Sequence, residues 1–134
     1  MLFRSGEAPR GTETILVIDD EALLRNFMES LLKDHGYKVL IASDADEAFQ
    51  VFSAHHHEID LILSDVGLPK MSGDELFAKF KNVKANVKVI LASGYMEPEI
   101  KAQMFEAGIK GFIQKPYYAN SVLQKIREAL DSSR

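Results

Sequence analysis

The chain contains no cysteine. That excludes a disulfide scaffold, a thiolate nucleophile and any metal site built on sulfur. No apolar run is long enough to cross a bilayer, and the first residues lack the apolar core of a secretory signal. Basic charge is also short: 16 Lys and Arg stand against 20 Asp and Glu, a formal charge of -4. A mildly acidic domain has no overall electrostatic attraction for nucleic acid or an anionic membrane. The expected setting is the cytoplasm, with no nucleic acid bound directly and no membrane segment in this chain.

What is present is a globular composition. The 134 residues are 46% hydrophobic and 27% charged, enough for one domain that buries roughly two-thirds of its unfolded surface. Met1 to Glu13 is rich in Gly, Pro and charge without an apolar period. It reads as a flexible tail or linker, with the domain expected over residues 14–134. Beyond it, short runs of Ile, Val and Leu alternate with longer stretches of helical period. The runs are Ile15–Ile18, Val39–Ala42, Leu61–Leu63 after Ile59, Val89–Ala92 after Val87, and Phe112–Ile113. Near-continuous apolar runs suit strands covered on both faces, as in a parallel sheet.

Between the runs, Leu24, Phe27, Met28, Leu31 and Leu32 mark one face of a helix. Four further stripes follow: Ala48, Phe49 and Phe52; Leu76, Phe77 and Phe80; Ile100, Met104 and Phe105; Val122, Leu123, Ile126 and Leu130. The Met and Phe positions read as core. Gly36 and Gly108 stand where left-handed caps close helices. Asp44 or Ser43, and Asn120, stand where caps open them, and Pro98 suits a first turn. Five strands alternating with five helices predict an α/β fold, a (βα)5 doubly wound five-stranded parallel sheet with helices on both faces.

Such sheets gather their chemistry at the C-terminal ends of the strands. Asp19 and Asp20 follow the first run, Ser64 and Asp65 the third, Ser93 and Gly94 the fourth, and Gln114, Lys115 and Pro116 the fifth. Three carboxylates in one basin repel, and burial raises at least one pKa. A hard divalent cation relieves both costs, and carboxylate, carbonyl and water oxygens are what Mg2+ selects. The competing use of Asp19 and Asp20 is helix capping; the equivalent placement of Asp65 and Lys115 weighs against it. A carboxylate beside Mg2+, with an ammonium and a hydroxyl nearby, meets the needs of phosphoryl transfer onto aspartate. Gly67 and Gly94 allow backbone to approach the phosphoryl oxygens.

The segments Ile15-Leu16-Val17-Ile18-Asp19-Asp20-Glu21, Asp65-Val66-Gly67-Leu68-Pro69 through Met71-Ser72-Gly73, Leu91-Ala92-Ser93-Gly94-Tyr95 and Gly111-Phe112-Ile113-Gln114-Lys115-Pro116 resemble the response-regulator receiver domain of two-component signalling. The resemblance covers about Thr14 to Asp131 and implies the flavodoxin-like strand order 2-1-3-4-5. It implies Asp65 as the phospho-acceptor, Asp20 as a direct Mg2+ ligand, Asp19 as a companion acting mainly through water, and the Gly67 carbonyl as a further ligand. Ser93 would be the hydroxyl that moves to the phosphoryl group, and Lys115 the cation that pairs with it, joined to Pro116 by a cis bond. Phe112 would change rotamer as Ser93 moves.

By the same resemblance, the donor would be a phosphohistidine of a sensor histidine kinase or histidine phosphotransfer protein. The domain would catalyse its own phosphorylation and dephosphorylation rather than turn over a substrate. Its readout face would be the fourth helix, fifth strand and fifth helix, through which a phosphorylation-dependent homodimer could form. The linker-like start and Ala92 to Tyr95 are similar to receivers fused to hybrid sensor kinases.

Departures from the family pattern carry expectations too. Leu68 replaces a common Met, and Ser93 is the less common hydroxyl. Phe112 lacks the phenol of the more familiar Tyr, so a switch there works through packing. Gly67 and Tyr95 stand two residues after Asp65 and Ser93, where the family tunes phosphate loss. Gly67 has no side chain to orient water, so slow self-hydrolysis is expected. His35 reads as a cation at a helix end, and His55 to His57 as a solvated helix end. Lys79, Lys81, Lys84 and Lys88 read as a solvated face rather than a nucleic-acid patch.

Three other readings compete with this one. A flavodoxin-like electron carrier needs a Ser/Thr- and Gly-rich loop after the first strand, where Asp19-Asp20-Glu21 would repel the flavin phosphate. A non-phosphorylated pseudo-receiver used for docking would not need the acceptor, metal and lysine positions that are present. A phosphatase using aspartate would need an acid–base Asp where Gly67 stands.

Overall fold

The computed structural model describes residues 8–132. The elements are β1 (Thr14–Ile18), α1 (Ala22–Asp34), β2 (Lys38–Ala42), α2 (Ala45–His55), β3 (Leu61–Asp65), α3 (Gly73–Val83), β4 (Val89–Ser93), α4 (Pro98–Ala107), β5 (Gly111–Gln114) and α5 (Ala119–Asp131). The five strands are parallel in the order β2-β1-β3-β4-β5. The doubly wound sheet expected from the alternation is the fold observed.

The two-residue period of the strands sorts the core into two layers. Leu16, Ile18, Ile62, Val89 and Leu91 face Phe52 of α2 and Leu76, Phe77 and Phe80 of α3, with Met104 of α4 at the margin. Ile15, Val17, Leu61, Leu63, Ile90, Ala92 and Ile113 face Met28 and Leu32 of α1 and Val122, Leu123 and Ile126 of α5. The Phe52 and Phe80 rings meet at 4.6 Å in the first layer. Each ring, almost fully buried, contributes about 1.5–3 kcal/mol through burial. The layers meet through the sheet, whose strand ends all emerge on one side.

Helical period finds a stripe but not what covers it, and three stripe residues depart from core. Phe27 is 42% exposed and Phe105 51%, and Ile100 of α4 is also exposed. Phe27 lies stacked on Tyr117 at 6.3 Å, and Phe105 meets Phe112 edge-on at 5.0 Å. No residue of α4 is buried. The opening of α5 also differs: Tyr118 rather than Asn120 is its N-cap, and the Val122 amide closes the first turn on the Tyr118 carbonyl at 3.0 Å. Asp44 caps α2 by accepting from the Glu47 amide at 2.8 Å, and Gly36 and Gly108 take left-handed φ values of 98° and 116°.

The lysine-rich stretch is not simply a solvated face. Lys81 Nζ donates to the Ala107 carbonyl at the end of α4. Lys84 Nζ donates to the carbonyls of His56 and Ile59 beyond α2. Lys88 Nζ donates to those of Leu130 and Ser132 at the end of α5. Lys79 lies over the Phe49 ring at 4.8 Å. Three neighbouring lysines thus satisfy terminal carbonyls of three different helices, groups that have no partner inside their own helix. Of the segment before β1, residues 1–7 lie outside the described residues. Residues 8–13 run against the end of α1, with the Gly11 amide donating to the His35 carbonyl at 3.0 Å.

Candidate functional site

The C-terminal ends of β1, β3 and β5 bring Asp19, Asp20, Asp65 and Lys115 together. Asp65 is the last residue of β3, flanked in register by Ala92 of β4, and the Val66 amide donates to the Ala92 carbonyl at 3.0 Å. Asp19 follows β1 directly and is 3% exposed. Its amide donates to the Ala42 carbonyl at 3.2 Å, and its Oδ1 accepts from the Glu21 amide at 2.9 Å. That bond turns the chain before α1 begins, whose N-cap Glu21 makes no side-chain cap bond. Asp20 stays exposed.

Lys115 Nζ stands 3.1 Å from Asp65 Oδ1, 3.5 Å from Asp19 Oδ2 and 3.9 Å from Glu21 Oε1. Burial works against its ammonium, but the hydrogen bond and charge of Asp65, with those of Asp19, carry its pKa above the ordinary value. Burial likewise pushes the Asp19 carboxyl above its ordinary range, against the Glu21 amide and the Lys115 charge, and the Asp65 charge adds to the rise. One lysine does not neutralise this basin.

Carboxylate oxygens of Asp19, Asp20 and Asp65 all lie within 4.8 Å of one another. Among the described residues no other group of three such ligands converges in this way. An all-oxygen donor set with surplus negative charge, one member open to solvent, fits a hard hydrated cation such as Mg2+.

The remaining sequence candidates surround this basin differently. Ser93 ends β4, and its Oγ donates to the Tyr95 carbonyl at 2.9 Å. The Lys115 amide donates to the Ser93 carbonyl at 2.9 Å, tying the two loops. The Lys115–Pro116 peptide is cis. Phe112 is half-buried, with its ring against Phe105 and the Lys101 ammonium 5.7 Å above it. Gly67 and Gly94 are exposed, and a Cβ at either would meet nothing within 4 Å.

Four neighbours of the site were not singled out from sequence. Glu21 adds a third carboxylate beside Lys115. Tyr117 holds its ring 5.9 Å from the Lys115 ammonium, and burial, with the charges of Asp19, Asp65 and Glu21, raises its phenol well above the ordinary value. Arg25 donates to the Asp19 carbonyl at 2.7 Å and so holds the loop between β1 and α1. Gly73 passes close to the end of β3: a Cβ there would lie 3.1 Å from the Asp65 carbonyl oxygen. Glu21 and Gly73 lie inside the quoted motifs, so position was a signal; for Arg25 and Tyr117 only the fold supplies one.

The family model of the response regulator receiver domain matches residues 15–127. The chain belongs to this family. The receiver domain is 30% identical over 117 residues to the chemotaxis protein CheY of Bacillus subtilis, covering 87% of this chain and 97% of that protein. It is 28% identical over 121 residues to the sensor kinase CckA of Brucella abortus, covering 90% of this chain but only 13% of the kinase. Among solved structures it superposes on a receiver domain from Clostridium thermocellum with a TM-score of 0.83 at 28% identity, covering 89% and 94% of the two chains. Receivers of this kind therefore occur both nearly alone and as a small part of a much longer protein. No helix among the described residues of this receiver is long and apolar enough to cross a membrane.

Proposed function

We propose that this receiver accepts a phosphoryl group on Asp65 from a phosphohistidine of a sensor kinase or phosphotransfer protein. The observation that carries the reading is the Lys115 ammonium held 3.1 Å from Asp65 and 3.5 Å from Asp19 at the strand ends. In the step, a carboxylate oxygen of Asp65 bonds to phosphorus as the P–N bond of the donor breaks. The imidazole nitrogen leaves with the electron pair and takes a proton, and an acyl phosphate remains on Asp65.

Asp19, Asp20 and Asp65, with the Gly67 carbonyl, would hold Mg2+. The ion would supply charge neutralisation at the phosphoryl oxygens. Lys115 would shift from the Asp65 carboxylate to the new phosphoryl oxygens. Backbone at Gly67 and Gly94, where no side chain intrudes, would donate to the others. Ser93 would leave the Tyr95 carbonyl to bind the same group, and Phe112 would repack behind it. That shift would bias a two-state equilibrium read on α4, β5 and α5. Ile100 and Phe105 are exposed there, and Lys101 and Lys125 line a groove of about 660 Å3. A phosphorylation-dependent homodimer would use this face.

Incubation with a small phosphodonor and Mg2+, followed by intact mass, tests the reading. A phosphoryl adduct on the wild type that disappears in Asp65→Ala is expected. No adduct on the wild type with any donor tried would sink it.

A further inference from the structure

The segment before β1 is fastened to α5 by a clamp that the acceptor chemistry does not use. Arg127 of α5 has a side chain only 14% exposed. Its guanidinium takes both carboxylate oxygens of Glu13, with Nη1 3.2 Å from Oε1 and Nη2 bonded to Oε2. Nη1 also donates to the Arg10 carbonyl at 3.1 Å, and Nη2 donates to Asp131 Oδ1 at 2.9 Å. The chain crosses here without side chains. A Cβ on Gly11 would fall 2.3 Å from Tyr37 Cε1 and 2.7 Å from Arg127 Nη1, and one on Gly36 would fall 2.3 Å from the Gly11 carbonyl oxygen.

The placement of the clamp relates it to the acidic site. Glu13 directly precedes β1, and Asp19 directly follows it. Lys115 leads into α5, and Arg127 lies on it, eight residues beyond the first helical residue Ala119, about 12 Å at the helical rise. Glu13–Arg127 ties the start of β1 to α5, and Asp19–Lys115 ties its end to the loop that leads from β5 into α5, at opposite ends of the sheet. Between them α5 packs on the sheet through Val122, Leu123 and Ile126.

We propose that the Glu13–Arg127 pair is a positioning device for Lys115: it fixes α5 against β1 and so sets where the ammonium stands beside Asp65. Linkage is reciprocal, so loading the acidic site alters how tightly residues 8–13 are held. Substitutions along packed elements that link two sites change the coupling between them by about two- to thirty-fold. The half-life and beryllofluoride readouts below rest on Asp65 being the acceptor, and the Lys115 signal does not.

The test compares the wild type with Glu13→Gln, which removes the charge at constant size, and Glu13→Asp, which restores it at shorter reach. The NMR signal of the Lys115 ε-methylene is followed in the free protein, and the half-life of the phosphoryl adduct after loading with a small phosphodonor and Mg2+. Glu13→Gln is expected to shift the Lys115 signal and to change the half-life by about two-fold or more, with partial recovery in Glu13→Asp. Hydrogen exchange at residues 8–13 is expected to change when Mg2+ and beryllofluoride are added to the wild type. A lower melting temperature in Glu13→Gln with the Lys115 signal unmoved would overturn the proposal and leave the clamp as a structural tie. Absence of any adduct on the wild type would instead remove the acceptor reading, and the Lys115 signal would still decide the clamp.

Discussion

Replacing Asp19 by Asn should make the cation-free domain more stable. An oxygen of Asp19 lies within 4.8 Å of oxygens on Asp20 and Asp65, and the Lys115 ammonium is 3.5 Å away. At an effective dielectric of about 20, each carboxylate pair repels by at least ~3.5 kcal/mol and the lysine attracts by ~4.7 kcal/mol. Asp20 is exposed, so solvent and salt remove much of its share. Attraction and repulsion then nearly cancel, and burial of the Asp19 carboxylate decides the sign.

Asn keeps the oxygen that accepts from the Glu21 amide and sheds the buried charge. The expected gain is about 1–2 kcal/mol at pH 7 in EDTA. The pH dependence follows from the raised pKa. The folded chain keeps the Asp19 proton at pH values where the unfolded chain, near the ordinary value of 3.8, has lost it. Wild-type stability therefore falls as pH rises from that value through the folded pKa. The advantage of the variant is complete above the folded pKa and closes as pH drops through it. Saturating Mg2+ should reverse the order, since a ligand at one hundred times its dissociation constant adds about 2.7 kcal/mol to a chain that binds it. Urea melts in EDTA and in Mg2+, at neutral and acid pH, read all of this. A variant less stable than the wild type in EDTA at pH 7 would refute the balance of terms.

Gly73→Ala places a Cβ 3.1 Å from the Asp65 carbonyl oxygen and 3.2 Å from Val66 Cα. It should cost about 1–3 kcal/mol through overpacking and slow phosphoryl uptake, as urea melts and intact mass would show. Lys88→Met removes the ammonium shared by the Leu130 and Ser132 carbonyls. A loss of about 1–2 kcal/mol is expected, together with faster hydrogen exchange in the last turn of α5. Gly67→Asn should fold normally, since a Cβ there meets nothing within 4 Å. Its amide should orient water toward the acyl phosphate and shorten the adduct half-life measured by mass; an unchanged half-life counts against this account.

The strand layers were legible because alternation alone sends Leu16 and Ile18 one way and Ile15 and Val17 the other. The acidic basin was legible for a related reason: parallel strands deliver whatever follows them to one side of the sheet. Coverage was not legible. Phe105 repeats as a core residue does, yet α4 sits at the margin of the sheet with none of its residues buried. The lysines were misread as a group because a helix end needing a donor cannot be seen from the donor's own segment; Lys88 and Leu130 are 42 residues apart. Glu13 and Arg127 are 114 apart, and neither neighbourhood hints at the other. Local periodicity carries the elements, whereas partnerships between element ends need the fold.

The lysine contacts have an electrical consequence. Each helix follows a strand, so all five begin on the side of Asp65 and end on the opposite side. On that far side Arg10, Lys84, Lys81 and Lys88 meet carbonyls at or just beyond the ends of α1, α2, α4 and α5. The negative poles of those helix dipoles are thereby quenched. The start of α5 carries no acidic residue in its first turn, so its positive pole is left open, whereas Glu21, with Asp19 and Asp20 before it, stands at that of α1. A net charge of -4 thus conceals a polarised body. Under the proposed function, an arriving phosphoryl group would meet carboxylates in front and the open dipole of α5 behind them, within the reach of about 10 Å that salt allows.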